Sequence, residues 1–254
     1  MSKLMVMGID GATWKIIKPN LNQLPHFKKL MEEGNYKSLL VEDIVLSPAI
    51  WCTIFSGKTA AEHGHKKFVV DEKLQRREDV KVDFVWDILN KDYNIKVLQV
   101  PFIMPPYNFN CDYKPIEYGA SYDLNEIGKD MDNLTIKALE ILEENPDIFI
   151  IVYNTLDRLQ HFHWGEPIIL PWYQKMDKIV GMLSKYGEKL IIVSDHGFCS
   201  RGEAKVQTLP DKSSKGEPLK GDHHEEALLI TKNIDYPING HKDISNAILK
   251  EVSK

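Results

Sequence analysis

Short apolar segments that alternate with amphipathic helical patterns are the feature that most constrains how this chain can fold. Val, Ile and Leu dominate these segments without strict alternation, which is typical of parallel strands covered on both faces. The clear and the weaker strand segments are Leu4–Ile9, Ile95–Val100, Ile148–Tyr153 and Leu190–Val193, and then Ser38–Val41 and Leu228–Ile230. Helical patterns cover Pro25–Glu33, Asp83–Asn90, Asn125–Glu144, Pro171–Tyr186 and Asp243–Val252. The alternation predicts an α/β fold with a central, mostly parallel sheet flanked by helices on both faces.

The composition argues against several classes of protein. The 254-residue chain carries a net charge of -5, which gives it no general affinity for duplex nucleic acid or for acidic membranes. Its apolar runs are far below membrane-spanning length, and the N-terminal run is too short for a secretory signal. Three widely spaced cysteines indicate neither a disulfide framework nor a cysteine-based zinc site. We therefore expect a reducing, cytoplasmic setting, while the sequence does not predict the oligomeric state.

Carboxylate and imidazole side chains follow several of the predicted strands. In open α/β sheets, ligands bind beyond the carboxyl ends of the strands. The polar residues found there, or next to the last strand, are Asp10, Asn154, Asp157, His161, Asp195, His196, Asp222, His223 and His224. Asp157 and His161 are four residues apart, so they share one face of a helical turn. Asp and neutral His are ligands for zinc, manganese or iron, and so large a set suits two metal ions that share a reaction centre.

The stretch from residue 46 to residue 64 contains two candidate phosphate-binding features. The segment Gly57-Lys58-Thr59 resembles the end of a P-loop, but Cys52 stands where that motif requires its first glycine. Ser47, which precedes Pro48, is the better candidate, because the pair predicts the N-cap and first residue of a helix that ends near Gly57. A hydroxyl at that position would lie among free backbone N–H groups, which favour a phosphoryl group.

Together these residues resemble the alkaline phosphatase superfamily, and within it the type I phosphodiesterase/nucleotide pyrophosphatase branch. The motifs that carry the resemblance run in that family's order, namely Asp10-Gly11, Ser47-Pro48, Trp51, Ser56-Gly57, His63-Gly64, Asp157 to His161, Ser194 to Gly197, and Gly221 to His223. Ser47 stands ten residues before Gly57, which is the spacing of the family's nucleophile. The resemblance implies a single alkaline phosphatase-like catalytic domain over residues 1–254. The sequence itself indicates loop-rich segments at 66–80, 101–122 and 199–222, which we expect around the site.

The resemblance also implies a role for each residue. Ser47 would attack phosphorus and form a covalent phosphoseryl-type intermediate, which water then hydrolyses. The first of two divalent metal ions would be held by Asp10, Ser47, Asp195 and His196, and the second by Asp157, His161 and His223. Zinc is the expected metal, with manganese as the alternative, and His224 competes with His223 as a ligand. Asn154 and Lys58 are further candidates for binding a phosphate oxygen of the substrate, a small-molecule phosphate ester.

Departures from the family pattern leave alternatives open. Ser47 replaces the threonine common in nucleotide pyrophosphatases, so nucleotide specificity is not implied, and Ala227 stands where many relatives have glycine. The sulfatase branch requires a C-x-P-x-R motif, which the Ser47 stretch lacks. The segment Asp222-His223-His224 spells the motif of the DHH phosphoesterases, but their N-terminal carboxylate cluster is absent. A phosphomonoesterase that uses the same site and a non-catalytic metal- or ligand-binding domain are the remaining alternatives.

Overall fold

The structure is a computed structural model that describes residues 1–42, 44–100, 107–114, 123–206, 208–213 and 216–253. Its strands are β1 (Ser2–Ile9), β2 (Asn35–Leu40), β3 (Val69–Val70), β4 (Lys73–Leu74), β5 (Ile95–Val100), β6 (Tyr107–Phe109), β7 (Ile148–Tyr153), β8 (Gly187–Val193), β9 (Gly197–Ser200), β10 (Gly221–His224) and β11 (Glu226–Lys232). Its α-helices are α1 (Trp14–Ile17), α2 (Pro25–Glu33), α3 (Ser47–Ser56), α4 (Ala60–His63), α5 (Val85–Leu89), α6 (Leu124–Glu143), α7 (Thr155–His163), α8 (Ile169–Leu183) and α9 (Lys242–Glu251). Short 3₁₀ helices cover Lys18–Gln23, Arg77–Asp79 and Ser184–Tyr186. Within the described ranges, none of the helices has the length and apolar character needed to cross a membrane.

Over the described residues, the central sheet has seven strands in the order β2-β11-β8-β1-β7-β5-β6. The strands β8, β1, β7 and β5 are parallel, whereas β11 runs antiparallel to β8 and β6 runs antiparallel to β5. Leu4 of β1 lies opposite Ile148 of β7 on one side and Lys189 of β8 on the other. The carboxyl ends of β8, β1 and β7 therefore meet at one edge of the sheet.

Helices cover both faces of this sheet. Met5 and Met7 of β1 belong to an apolar core with residues of α2, α6, α7 and α8. Leu4 and Val6 point to the opposite face and pack with residues of α3, α5 and α9. Because both faces are covered, the buried parts of the central strands are mostly apolar and show no strict alternation. The predicted α/β fold with a mostly parallel sheet is confirmed.

The predicted loop segments contain short strands. Segment 66–80 holds the hairpin β3–β4, and segment 199–222 begins and ends in the hairpin β9–β10, where His223 pairs with Phe198. The sequence predicts these segments as loop-rich and does not indicate the hairpins, because strands of two to four residues are too short to show a period. In segment 101–122, residues 101–106 and 115–122 lie outside the described residues, and Tyr107–Phe109 forms the edge strand β6.

Candidate active site

The ligand candidates meet at the edge where β1, β7 and β8 end. Asp10 directly follows β1, the pair Asp195-His196 follows β8, and α7 begins just after β7. The N–H of Asp10 donates to the carbonyl of Tyr153, the last residue of β7, at 2.8 Å. The β9–β10 hairpin brings His223 to the same place. The structure thus gathers side chains from distant parts of the sequence into one cluster.

Ser47 is the first residue of α3, and its hydroxyl faces this cluster. The N-cap is Leu46, which is extended, and its carbonyl accepts the first two backbone hydrogen bonds of the helix at 3.1 Å each. The prediction that Ser47 is the N-cap was therefore wrong. The helix already begins at Ser47, and the N-cap is the preceding residue, Leu46. Its Oγ instead lies 3.2 Å from His196 Nε2 and 3.4 Å from Asp10 Oδ1.

Trp51, one turn further along α3, fixes the carboxylate of Asp10. Its Nε1 donates to Asp10 Oδ2 at 3.0 Å, and the indole is fully buried. The indole lies directly against Gly8 of β1, where an added Cβ would come within 2.5 Å of Trp51 Cη2. Trp51 thereby couples the position of Ser47 to that of Asp10, a role that the sequence analysis missed. An isolated glycine inside the first apolar run was the available indication of such a close approach.

Asp195 and His196 lie in the turn between β8 and β9, and both are fully buried. Asp195 Oδ1 accepts the N–H of Gly11 at 3.2 Å. His196 Nδ1 donates to the carbonyl of Gly197 at 2.9 Å, so in the neutral ring Nε2 carries the lone pair. That Nε2 lies 3.4 Å from Asp195 Oδ2 and 3.6 Å from Asp10 Oδ1. Adjacent residues of a regular strand would point apart, so the irregular turn allows both side chains to face the site.

Asp157, His161 and His223 form the neighbouring part of the cluster. His161 Nε2 lies 3.2 Å from Asp157 Oδ2, one helical turn away on α7. His223 Nδ1 donates to the carbonyl of Val45 at 2.8 Å, which directs its Nε2 to within 3.4 Å of Asp157 Oδ1. The ring of His223 stacks on that of His196 with the centroids 3.7 Å apart. The two parts of the predicted ligand set are therefore contiguous.

His224, the alternative to His223, makes contacts outside the cluster. Its Nδ1 accepts the N–H of Glu226 at 3.1 Å, and its Nε2 lies 3.7 Å from Glu225 Oε2. Successive residues of a strand face opposite sides, so only one histidine of this pair can face the cluster. The geometry favours His223.

The cluster concentrates negative charge in a buried place. Burial, and then the charges of Asp195 and Asp157, raise the pKa of Asp10 well above its usual range. Burial and the charge of Asp157 raise the pKa of Asp195 to about 6. Burial also acts to raise the pKa of Asp157, but two neighbouring imidazoles more than offset it and hold that pKa well below its usual range. Burial and the nearby His223 lower the pKa of His196, which keeps the ring neutral at pH 7.

Several buried polar atoms of this cluster have no hydrogen-bond partner among the described residues. They include Asp157 Oδ1, Asp195 Oδ2 and His223 Nε2. A buried polar atom left unpaired costs about 1–3 kcal/mol, and native proteins rarely retain such atoms unless a bound group satisfies them. In the part of the chain that the structure describes, two sets have ligand atoms within 4.8 Å of one another, namely Asp157, His196 and His223, and Asp10, Asp195 and His196. Carboxylate oxygens and imidazole nitrogens so arranged fit divalent cations. His161 lies outside both compact sets and adjoins them through Asp157.

The two predicted phosphate contacts differ in their placement. Asn154 is the N-cap of α7 and lies at the edge of the sheet that carries the cluster. Lys58 follows the opposite end of α3 and is exposed. A helix of ten residues is roughly 15 Å long, so α3 carries Lys58 away from Ser47, and the structure does not bring it to the cluster. Gly57 is the left-handed C-cap of α3, with φ 69°, as expected for the end of a helix.

Comparisons with known proteins point to one family. The family model for type I phosphodiesterase/nucleotide pyrophosphatase matches residues 4–213. Human ectonucleotide pyrophosphatase/phosphodiesterase 5 superposes with a TM-score of 0.65 at 14% identity, covering 99% of this chain and 95% of that one. The murine protein, solved as an inactive variant in complex with AMP, gives 0.65 at 13% identity, covering 100% and 95%. Phosphonoacetate hydrolase from Sinorhizobium meliloti, in complex with phosphonoacetate, gives 0.71 at 11% identity, covering 99% and 95%.

The reach of these matches differs. A comparison with curated proteins finds no match. At such low identity the structural matches establish the fold, which is that of the ectonucleotide pyrophosphatase and phosphonoacetate hydrolase structures. The family model spans most of the chain, from β1 through Asp10, Ser47, Asp157 and Asp195, and ends before His223. The chain therefore belongs to the type I phosphodiesterase/nucleotide pyrophosphatase family of phosphoester hydrolases.

Proposed function

We propose that the protein is a metal-dependent phosphodiesterase or nucleotide pyrophosphatase in which Ser47 is the nucleophile. The observation that carries the proposal is the position of Ser47 Oγ, 3.2 Å from His196 Nε2 and 3.4 Å from Asp10 Oδ1. A serine hydroxyl is a weak nucleophile on its own and needs a neighbouring base or a metal ion. Ser47 lies at the N-terminal end of a ten-residue helix, which favours a negatively charged phosphoryl group in front of it.

The donor set supports two divalent ions. Asp10, Ser47, Asp195 and His196 would hold one ion, and Asp157, His161 and His223 would hold the other, with zinc or manganese as the metal. When bound, such ions neutralise the charge of the phosphate and lower the pKa of a coordinated hydroxyl. The hydrogen bonds from His196 Nδ1 to Gly197 and from His223 Nδ1 to Val45 would present both Nε2 atoms to the ions.

The reaction then follows from the placement of Ser47. Its Oγ would form a bond to phosphorus while the bond to the leaving oxygen breaks, and the Ser47 proton would end on the leaving alcohol or nucleotide. The phosphoseryl intermediate would keep the second substituent of the diester. Water would next attack the same phosphorus, the bond to Ser47 Oγ would break, Oγ would take up one proton of the water, and the phosphate monoester would be released. Trp51 keeps Asp10 in place through the 3.0 Å hydrogen bond throughout. Asn154, the N-cap of α7 at the same edge of the sheet, would donate a hydrogen bond to a phosphate oxygen of the substrate.

Hydrolysis of bis-p-nitrophenyl phosphate and of p-nitrophenyl phosphate, each with zinc or manganese, tests the proposal. Ser47→Ala should lower diester turnover by more than about 1,000-fold, since removal of a nucleophile abolishes the covalent route. Ser56→Ala is the matched control, because Ser56 belongs to the same helix but its hydroxyl donates to the Cys52 carbonyl. Full turnover by Ser47→Ala would refute the assignment of Ser47 as the nucleophile. Faster hydrolysis of the monoester than of the diester would show that the protein is a phosphomonoesterase that uses the same site. Lack of hydrolysis by a metal-loaded protein would favour the non-catalytic alternative.

We also propose a reducing, cytoplasmic setting for the protein. The support is that Cys52, Cys111 and Cys199 are all free thiols in the structure. Localisation of the tagged protein in its own cells would test this setting, and export of the protein would refute it.

A further inference from the structure

The turn after β1 contacts the segments that carry Asp195 and Asp157. Gly11 directly follows Asp10, and its N–H donates to Asp195 Oδ1 at 3.2 Å. With φ 68° it lies against α7, where an added Cβ would come within 3.1 Å of Asp157 Cα. A side chain there would be strained by the backbone conformation and tightly packed against Asp157. One residue thus links the segments that carry Asp10, Asp195 and Asp157.

Gln160 and Tyr173 hold this turn from the side of α7 and α8. Gln160 lies on α7 and is fully buried, and its Nε2 donates to the carbonyl of Gly11 at 2.9 Å. Its Oε1 accepts the hydroxyl of Tyr173, on α8, at 2.8 Å. The oxygen of Tyr173 in turn accepts the N–H of Thr13 at 3.1 Å. Both polar ends of Gln160 and both roles of the Tyr173 hydroxyl are used within one chain of hydrogen bonds.

This chain of hydrogen bonds joins two segments that belong to different halves of the ligand set. Asp10 belongs to the half with Ser47, whereas Asp157 and His161 belong to the other half, on the same helix as Gln160. His161 directly follows Gln160, so the backbone that places this histidine also places the amide that binds Gly11. Gln160 therefore adds a side-chain link between the two halves, beside the backbone hydrogen bond from the Asp10 N–H to the Tyr153 carbonyl.

We infer that Gln160 and Tyr173 are positioning residues that set the spacing of the two halves of the metal site, an inference that rests on the proposed function. Neither side chain belongs to the ligand set, and each acts through Gly11 or Thr13. Residues that orient metal ligands from outside the ligand set change metal affinity by about 10–100-fold when they are replaced. The effect should therefore appear in metal binding itself, before any substrate is added.

Metal binding to the metal-stripped full chain tests the inference. Gln160→Met retains the length of the side chain but removes both of its hydrogen bonds, and Tyr173→Phe removes the hydroxyl alone. Tyr153→Phe is the matched control, because Tyr153 is equally buried and its hydroxyl bonds to Thr135 on α6 at 3.0 Å. Zn²⁺ affinity and stoichiometry are measured by competition with a chromophoric chelator. The visible absorption of the Co²⁺ form reports the coordination geometry, and urea unfolding reports the stability of each variant.

We expect Gln160→Met to bind Zn²⁺ about 10–100-fold more weakly and to change the Co²⁺ spectrum. Tyr173→Phe should weaken Zn²⁺ binding by a smaller factor. If Gln160→Met does not fold, Tyr173→Phe is the variant that tests the inference. Tyr153→Phe should bind Zn²⁺ as the wild type does. Wild-type Zn²⁺ affinity and Co²⁺ spectrum in Gln160→Met would overturn the inference. If Gln160→Met does not fold, the same result in a folded Tyr173→Phe would overturn it. An equal loss of Zn²⁺ affinity in Tyr153→Phe would also overturn it. If the inference is overturned in this way but Ser47→Ala is inactive, the proposed function still holds. If the wild-type protein binds no divalent ion, both the proposed function and the inference are overturned.

Discussion

Replacement of Gly8 by alanine is expected to disturb both stability and activity through a single contact. The new Cβ would lie 2.5 Å from Trp51 Cη2 and 2.7 Å from Val152 Cγ2. Carbon atoms pack best at about 3.5–4.0 Å, so the indole would have to move by about 1 Å. A movement of that size stretches the 3.0 Å hydrogen bond from Trp51 Nε1 to Asp10 Oδ2 beyond bonding distance. Ser47 begins the same helix, so the proposed nucleophile would move with Trp51.

The expected loss of stability follows from these contacts. Overpacking of a core costs about 1–3 kcal/mol. A buried hydrogen-bonding group left without its partner costs about 1–3 kcal/mol more. Replacing a glycine inside a strand by alanine stabilises the fold by about 0.5–1 kcal/mol, because alanine loses less backbone entropy on folding. The free energy of unfolding of Gly8→Ala should therefore fall by about 1–5 kcal/mol.

Urea unfolding followed by circular dichroism measures this loss, and diester hydrolysis measures its effect on the site. Gly128→Ala is the matched control, because an added Cβ on α6 would meet only Trp172 Cη2, at 3.5 Å. That variant should gain up to about 1 kcal/mol, as a helix glycine replaced by alanine does. Trp51→Phe combined with Gly8→Ala should be less destabilised than the sum of the single changes, since the smaller ring leaves room for the methyl group. A Gly8→Ala protein within about 0.5 kcal/mol of the wild type, or strictly additive changes, would refute the reasoning.

His241 and Lys58 carry two further predictions. His241 is buried, its Nε2 donates to the Ser194 carbonyl at 3.1 Å, and burial lowers its pKa to about 4. Its folded-state pKa lies below the ordinary value, so its contribution is complete above pH 6.5 and is lost as the pH falls towards 4, by about 2 kcal/mol at pH 5. Urea unfolding of His241→Gln should therefore depend less on pH between about 7.5 and 5 than that of the wild type, and equal slopes would contradict this. Lys58→Ala should keep kcat/KM for a diester within about twofold of the wild-type value, because Lys58 lies at the far end of α3 from Ser47. A tenfold rise in KM would instead indicate that Lys58 binds the substrate.

The central sheet was predictable because its signal is local. Ile148–Tyr153 is apolar at every position and Ile95–Val100 at four of six, since both faces of a central parallel strand are buried, and the structure gives both strands the predicted bounds. The β9–β10 hairpin carries no such local signal. Its strands are four residues each and are separated by twenty intervening positions, so only the folded chain defines them.

The candidate site was predictable in its members and less so in its geometry. Asp10, Asp157 and Asp195 follow strands, and the carboxyl ends of parallel strands share an edge, so their meeting could be expected. The choice between His223 and His224 depends on which face of β10 turns inward, which is set by pairing with β9. The direction of α3 away from the cluster depends in the same way on packing of Trp51 against Gly8.

The central position of β1 has a consequence for how this protein is made in the cell. Leu4 pairs with Ile148, 144 residues later, and with Lys189, 185 residues later. During synthesis, a strand that is apolar on both faces must therefore wait unpaired until β7 and then β8 have left the ribosome. Such late, long-range pairing slows folding and leaves a strand open to wrong partners in the meantime. Asp10, Asp157 and Asp195 cannot come together before that moment, so a nascent chain that ends short of β8 would have no site, and a chaperone that shields β1 would raise the yield of active protein.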